Sequence, residues 1–297
     1  MASEQLKSLI ALRRANRYDS NQTIEELRGD GNDPGSIPRQ DTSVESCDAD
    51  GVICEWVVCG TPSTDSVFVF LHGGGYYRGS AEASRRIASN LSKACGCRCL
   101  TVDYRLAPEH PFPAALDDAY TCYRWLIDQG IPSKKIVVGG SSAGGGLSAA
   151  LLAKLKLTGE QQPAAAVLLS PWTDLTQSAE TFVSNAHLDP SISKTYLDRM
   201  AGLYMNGQDL TNPLASPVFS NLEGFPRMLV QVGKSETMYG DALAYAEKAR
   251  RQGVEVKFEA YDDVPHAWHN SAHVVPDIPE TLAAIDLIGK FFHAHCA

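Results

Sequence analysis

A Gly-Ser-Ser-Ala-Gly pentapeptide at residues 140–144 separates two segments of different character. The apolar run at 136–138 before it predicts a buried strand, and the small-residue segment at 145–152 after it predicts a helix. G-x-S-x-G at a strand-to-helix joint is typical of a nucleophile elbow, because the flanking glycines let strand and helix approach closely. We therefore predict that Ser142 lies on a strained turn at a helix N-terminus, with its hydroxyl above the sheet.

Three consecutive glycines, residues 73–75, follow His72 directly after another predicted buried strand at 66–71. Without side chains, such a loop exposes backbone N–H groups that can stabilise an oxyanion. We predict an oxyanion hole formed by two of these amides together with the amide of Ala143. His72 precedes the serine in the chain and is interpreted as a structural residue that braces the loop.

A catalytic histidine is expected late in the chain, because elbow-bearing α/β folds place the triad in the order Ser, acid, His. The alternating segment 254–261 predicts a strand, and His266 ends the loop that leaves its C-terminal end, where open α/β sheets keep their active sites. His266 is therefore the predicted base, and His269 is the alternative. Three further late histidines are interpreted as surface, supporting or inert residues: His273, His293 and His295.

The acid is expected after a strand that lies between the elbow and the base. The apolar run at 227–233 ends in glycine, and Glu236 follows three residues later. Its carboxylate could accept the second N–H of the histidine and stabilise the imidazolium. Asp241 is the competing candidate, but its position just before a predicted helix favours a helix N-cap.

These segments together resemble the hormone-sensitive-lipase-like family of α/β-hydrolases, which also includes plant carboxylesterases. The resemblance implies an α/β-hydrolase fold, with a mostly parallel sheet flanked by helices and a helical cap over the active site. It implies a serine carboxylic-ester hydrolase that acts on short- to medium-chain esters through an acyl-enzyme. The matching segments run from about 66 to 270 and are 72–75, 103–115, 140–144, 170–172 and 263–266.

The resemblance also assigns individual residues. It places Ser142, Glu236 and His266 at the catalytic positions. The sequence departs from the family pattern at Ser141, where many relatives carry Asp, and at 238–241, where the commoner pattern is Leu-x-Asp-Asp/Glu. The second departure keeps Asp241 as the alternative acid. The oxyanion-hole positions implied by the resemblance are Gly74, Gly75 and Ala143.

We expect residues 1–297 to form a single α/β-hydrolase domain. By resemblance, a segment at about 1–45 and an insertion at about 173–224 would pack together as the cap. Seven residues near the site could line the pocket, although an aromatic or methionine residue in such a segment more often forms cap core. They are Tyr76, Tyr77, Trp172, His187, Leu203, Tyr204 and Met205.

Composition excludes several classes of protein. No apolar run approaches the roughly 20 residues that cross a bilayer, and the N-terminus lacks a basic segment followed by an apolar one. We therefore expect a cytoplasmic protein that does not bind membranes. A net charge of −9 and a pI near 5.4 argue against nucleic acid as a partner. The expected partner is a small-molecule ester, and a homodimer is compatible with the sequence.

Eight cysteines are present, and Cys95, Cys97 and Cys99 are predicted to alternate along one face of a strand. Core burial explains this spacing better than metal ligation, because no matching His or Cys cluster occurs elsewhere. We predict free thiols, no metal and no cofactor.

Two further functions remain as alternatives. An amidase or a lactonase would use the same triad. A non-catalytic ligand receptor on the same fold, as in plant gibberellin-receptor relatives, would lack the base, and the presence of His266 argues against it.

Overall fold

The computed structural model describes residues 2–16, 22–29, 36–273, 275 and 278–296. Within these residues the chain forms a central sheet surrounded by α-helices. The strands are β1 (Thr42–Ala49), β2 (Val52–Cys59), β3 (Val67–Leu71), β4 (Arg98–Val102), β5 (Ile136–Ser141), β6 (Ala165–Leu169), β7 (Arg227–Gly233) and β8 (Val256–Tyr261). The helices are α1 (Glu4–Ala15), α2 (Ile24–Arg28), α3 (Arg85–Cys95), α4 (Ala114–Asp128), α5 (Ala143–Leu157), α6 (Thr181–Ser184), α7 (Lys194–Met205), α8 (Tyr239–Arg251) and α9 (Pro279–Cys296).

The eight strands lie in the order β1-β2-β4-β3-β5-β6-β7-β8. β2 pairs antiparallel with β1 and with β4, and every other pair in the sheet is parallel. The carboxyl ends of β3, β5, β6 and β7 therefore meet at one edge of the sheet, where parallel α/β folds bind their ligands. The predicted mostly parallel sheet flanked by helices is confirmed.

Both faces of the sheet are covered, which explains why its central strands are continuous apolar runs. All five residues of β3 are buried. Phe68 and Phe70 pack with apolar residues of α3 and α9 on one face. Val69 and Leu71 belong to the core on the other face, with residues of α4 and α5.

Helix α5 approaches the sheet unusually closely at its N-terminus. A Cβ atom added at Gly144 would overlap the backbone carbonyl oxygens of Leu71 and His72, at the end of β3. A Cβ at Gly140 would likewise overlap the carbonyl oxygen of Leu71. The glycines flanking the elbow are therefore required by the closeness of backbone to backbone, although glycine disfavours a helix.

The sequence patterns predict no strand at 42–49, where the structure has β1. β1 is mostly solvent-exposed, so it carries no apolar run. An Asp50-Gly51 turn joins it to β2, with positive φ at both residues. That dipeptide is a hairpin signal and could have revealed the strand.

The predicted alternation of three cysteines along one strand is wrong. Cys95 is the last residue of α3, and only Cys99 lies within β4. Gly96 adopts a left-handed conformation that ends the helix, so the strand begins at Arg98. All three cysteines are nevertheless buried in the core between the sheet and helices α3 and α9, together with Cys296. All eight cysteines are free.

The N-terminal helices and the segment between β6 and β7 lie next to each other. Arg199 of α7 donates a hydrogen bond to the carbonyl oxygen of Gln22, and Arg13 of α1 donates to Ser191 Oγ at 3.4 Å. Part of the predicted segment 1–45 is β1, and its residues 17–21 and 30–35 lie outside the described residues. Among the residues described, no helix combines the length and apolar character needed to span a membrane.

Replacing Gly144 with Ala tests the close approach of α5. The added methyl group must displace the backbone of β3 or of α5, so we expect the free energy of unfolding in urea to fall by about 3 kcal/mol or more. Gly202→Ala in α7 is the matched control, because a Cβ there meets no atom within 4 Å and should stabilise the helix by about 0.5–1 kcal/mol. Equal stabilities for the two variants would contradict the packing.

Candidate active site

Ser142 lies between β5 and α5 with φ 55° and ψ −119°. A non-glycine residue with positive φ is strained, at a cost of about 1–3 kcal/mol. Three backbone hydrogen bonds hold it there: Ser142 N donates to Leu169 O at 2.8 Å, and Gly146 N and Trp172 N each donate to Ser142 O at 3.0 Å. This is the geometry predicted for a nucleophile elbow.

The glycine loop after β3 lies beside Ser142. A Cβ built at Gly73 would be 3.4 Å from Ser142 Cβ and 2.9 Å from Ser141 O. Gly74 and Gly75 have φ of 117° and 60°, a region that other residues rarely adopt. Among the described residues, no hydrogen-bond acceptor faces the amides of Gly74, Gly75 or Ala143. Three backbone N–H groups in this region are therefore available as donors.

His72 braces this loop, as predicted. Its Nδ1 lies 2.8 Å from Gly73 O, and its ring stacks on Tyr104 with centroids 4.0 Å apart. Burial lowers the pKa of His72 to about 4, so the ring is neutral at physiological pH. The Tyr104 hydroxyl donates to the His72 carbonyl oxygen at 2.8 Å, which fixes the start of the loop.

Glu236 and His266 form a buried pair. His266 Nδ1 donates to Glu236 Oε2 at 2.7 Å, which leaves Nε2 as the nitrogen that can accept a proton. Glu236 Oε1 accepts from Gly233 N at 2.6 Å and from Ser170 Oγ at 2.7 Å. The carboxylate is thus fully buried yet hydrogen-bonded on both oxygens.

Ser142 and His266 line the same cavity, but no hydrogen bond joins Ser142 Oγ to His266 Nε2 among the described residues. Catalytic hydrogen bonds are often long in the absence of substrate and tighten in the substrate complex. His266 therefore lines the same cavity as Ser142, and its contact with Glu236 fixes the orientation of its ring.

Asp241 does not reach His266 and is not a helix N-cap. Helix α8 follows Met238 in the N-cap position, and Asp241 lies in the first turn. Its carboxylate is buried, and neither oxygen has a hydrogen-bond partner among the described residues. Burial, with repulsion from Asp174, raises the pKa of Asp241 well above its ordinary value.

His269, the alternative base, is also buried away from the cavity lining. Its Nε2 lies 2.9 Å from Gln231 Oε1, and its ring packs on Trp268. Burial lowers the pKa of His269 to about 3, which makes it a poor proton acceptor near neutral pH. The other late histidines lie in the segment at 268–273 and on α9, and the side chain of His273 is outside the described residues.

Arg13 contacts the loop that carries His266, and sequence reasoning missed it. Its guanidinium donates to the backbone carbonyl of His266 through Nη1 and to Ser271 Oγ at 2.7 Å through Nη2. Burial lowers the pKa of Arg13 to about 10, which still leaves it charged at neutral pH. No motif surrounds this arginine, which looks like one of several charges on a polar helix.

The segment between β6 and β7 braces the acid in the same way. Asp189 Oδ2 accepts from Thr237 N, next to Glu236, at 2.9 Å. The Asn185 side-chain amide donates to the carbonyl oxygens of Lys234 and Glu236, each at 2.9 Å. Residues outside the core sheet therefore fix the turns that carry Glu236 and His266.

A cavity of about 660 Å³ opens above Ser142. Its walls include the glycine loop, residues of α1 and α2, and residues 191–197. Of the aromatic and methionine residues considered from the sequence, Tyr77 lines the cavity within the described residues. Tyr76 instead stacks on Tyr204 in the core, with centroids 3.7 Å apart, and Trp172 is fully buried.

The residues that the structure describes contain no group of three or more His, Cys, Asp or Glu side chains that could hold a metal ion. The chemistry available at this site is that of a serine hydroxyl, an imidazole hydrogen-bonded to a buried carboxyl group, and free backbone amides.

Comparisons with known proteins identify relatives of this chain. A family model described as alpha/beta hydrolase fold matches residues 68–270. An acetyl-hydrolase of Streptomyces hygroscopicus is 37% identical over 75% of this chain and 74% of that protein. An esterase of Acinetobacter venetianus is 34% identical over 81% of this chain and 78% of that protein.

A solved structure of an esterase matches this chain over its full length. The crystal structure of an esterase from the bacterial hormone-sensitive lipase family superposes with a TM-score of 0.93. The two chains are 40% identical, and the match covers 100% of each.

Proposed function

Because this chain belongs to the hormone-sensitive-lipase-like family of α/β-hydrolases and is a carboxylic ester hydrolase, we propose that it uses Ser142 as nucleophile, His266 as base and Glu236 as the acid. The observation that carries the assignment is the buried hydrogen bond from His266 Nδ1 to Glu236 Oε2. It fixes the imidazole tautomer whose Nε2 can take the serine proton.

In the first half of the reaction, Ser142 Oγ attacks the ester carbonyl carbon while His266 Nε2 removes its proton. The carbonyl oxygen becomes an oxyanion, which the amides of Gly74, Gly75 and Ala143 stabilise. Collapse of the tetrahedral intermediate expels the alcohol, which takes the proton from His266. An acyl-enzyme remains on Ser142.

In the second half, His266 removes a proton from water, and the hydroxide attacks the acyl carbonyl. The same amides hold the second oxyanion, and Ser142 leaves with the proton carried by His266. Glu236 stabilises the imidazolium in both steps through its contact with Nδ1, and two further hydrogen bonds hold its carboxyl group in place.

The N-terminal helices and the segment between β6 and β7 act, in this proposal, as a cap on one α/β-hydrolase domain. Support comes from Arg13 on the base loop, Asp189 on the acid turn and the contact of Arg13 with Ser191. The eight free thiols favour a reducing compartment such as the cytoplasm.

We expect short- to medium-chain acyl groups, because the cavity is bounded on several sides. Each buried CH₂ group contributes about 0.8 kcal/mol to binding until the cavity is filled, after which extra carbons clash or stay in water. For p-nitrophenyl esters, kcat/KM should rise and then fall along the acyl series, with its maximum at about two to eight carbons. A continuous rise to sixteen carbons, with a jump at an oil–water interface, would contradict a capped site.

Glu236→Gln separates the two candidate acids. The amide cannot stabilise an imidazolium and favours the wrong tautomer, so kcat on p-nitrophenyl butyrate should fall by about 10³- to 10⁴-fold. Asp241→Asn should keep a rate near that of the wild type, because Asp241 does not contact His266. If the ranking were reversed, Asp241 would be the acid.

The control variant Asp241→Asn should also change how the free energy of unfolding depends on pH. The pKa of Asp241 is raised in the fold, so the folded protein retains a proton that the unfolded chain releases above about pH 4. The wild-type free energy of unfolding therefore has a component that falls as pH rises, and Asp241→Asn should remove it. Urea unfolding of both proteins at several pH values measures this difference.

A further inference from the structure

The catalytic cavity is positively charged in a protein whose net charge is −9. Among its described lining residues are four arginines and one carboxylate, Glu26. Three of the arginines are engaged: Arg13 with the base loop, Arg28 in a bidentate ion pair with Glu109, and Arg78 with the Leu27 carbonyl. The fourth arginine, Arg86, needs a separate explanation.

Arg86 and its neighbour Arg85 differ completely in their partners. Arg85 holds Glu55 through two hydrogen bonds of 2.8 and 2.6 Å and also pairs with Glu82. Arg86 lines the cavity, and among the residues that the structure describes its guanidinium has neither a carboxylate nor another acceptor. The Nε atom of Arg86 is buried and has no hydrogen-bond partner. Its two Nη atoms are not among the buried atoms without a partner.

A half-buried guanidinium without an acceptor costs folding free energy. A buried polar group without a hydrogen-bond partner needs an explanation, and at a binding site the missing partner is commonly a ligand. The planar fork of arginine suits a carboxylate, which two N–H groups can hold at once. An anion in this cavity would also be attracted by the surrounding arginines.

We propose that Arg86 is a specificity-determining residue that binds a carboxylate carried by the substrate. The preferred substrates would be monoesters of dicarboxylic acids, whose second acid group is ionised at neutral pH. Water hydrolyses the ester bond to give the dicarboxylate and the free alcohol, by the same steps as for any ester. This inference rests on the proposed function of Ser142 and specifies its substrate class.

The inference is tested with monoethyl esters of glutaric, adipic, pimelic and suberic acids. Each is compared with the ester in which an uncharged amide replaces the free carboxylate, and ethanol release gives kcat/KM. At the chain length that reaches Arg86, the wild type should prefer the charged ester, and Arg86→Gln should lower the charged-to-neutral ratio by about 10- to 100-fold. High salt should lower the same ratio in the wild type.

Arg85→Gln is the matched control. It breaks two ion pairs outside the cavity, so it should lower the melting temperature but leave the charged-to-neutral ratio unchanged. Arg86→Gln should have a melting temperature equal to or above that of the wild type, since no ion pair is lost. A structural role for Arg86 would instead lower it.

Two results would overturn the inference. If the wild type hydrolyses the neutral esters but shows no charge preference at any chain length, or if Arg86→Gln leaves the ratio unchanged, Arg86 does not bind substrate, and the esterase assignment stands. If the wild type hydrolyses no ester, charged or neutral, the proposed function fails and this inference fails with it.

Discussion

The close approach of helix α5 to the end of strand β3 determines the geometry of the site. Gly140 and Gly144 lie so near the Leu71 carbonyl that neither position has room for a side chain. This contact makes the chain turn sharply between β5 and α5, and Ser142 takes up the turn with a positive φ. Since β3 and β5 are neighbours in the sheet, the glycine loop that follows β3 emerges beside the serine.

The positions of Glu236 and His266, the proposed acid and base, are set by the next strands of the same sheet. Ser170 follows β6, Glu236 follows β7 and His266 follows β8. Glu236 is hydrogen-bonded to both Ser170 and His266, and the backbone N–H of Ala267, next to His266, donates to Ser170 Oγ. Glu236 bonds to its own turn, to the β6 turn and to the histidine, so it holds three loops in one arrangement. Arg13 and Asp189 then tie those loops to segments outside the sheet.

Much of the site could be predicted from the sequence because its main determinants are local. A G-x-S-x-G joint, a glycine loop after a strand and the chain order of the triad are each readable within a few residues. The sequence favoured Glu236 but kept Asp241 as an alternative, because both follow β7 and only three-dimensional contact shows that Glu236 is the one that reaches His266. Arg13 and Arg86 were missed for the same reason, since their significance lies in contacts with distant segments.

The fold was predicted less well where tertiary packing outweighs local pattern. β1 is an exposed edge strand without an apolar run, and its signal lay in the Asp50-Gly51 turn. The cysteines at 95–99 suggested one strand because their spacing is alternate, but Gly96 ends a helix among them. In both cases a turn residue, rather than hydrophobic periodicity, decided the local structure.

The most direct test of the account is the turnover of Ser142→Ala on a short p-nitrophenyl ester, measured beside its thermal unfolding. Alanine keeps the backbone conformation and the Cβ atom but removes the nucleophilic oxygen. The account predicts that kcat falls by about 10⁴-fold or more, because only the oxyanion hole and substrate binding remain, with a melting temperature close to that of the wild type. A folded variant that retained a tenth of the wild-type rate would contradict it.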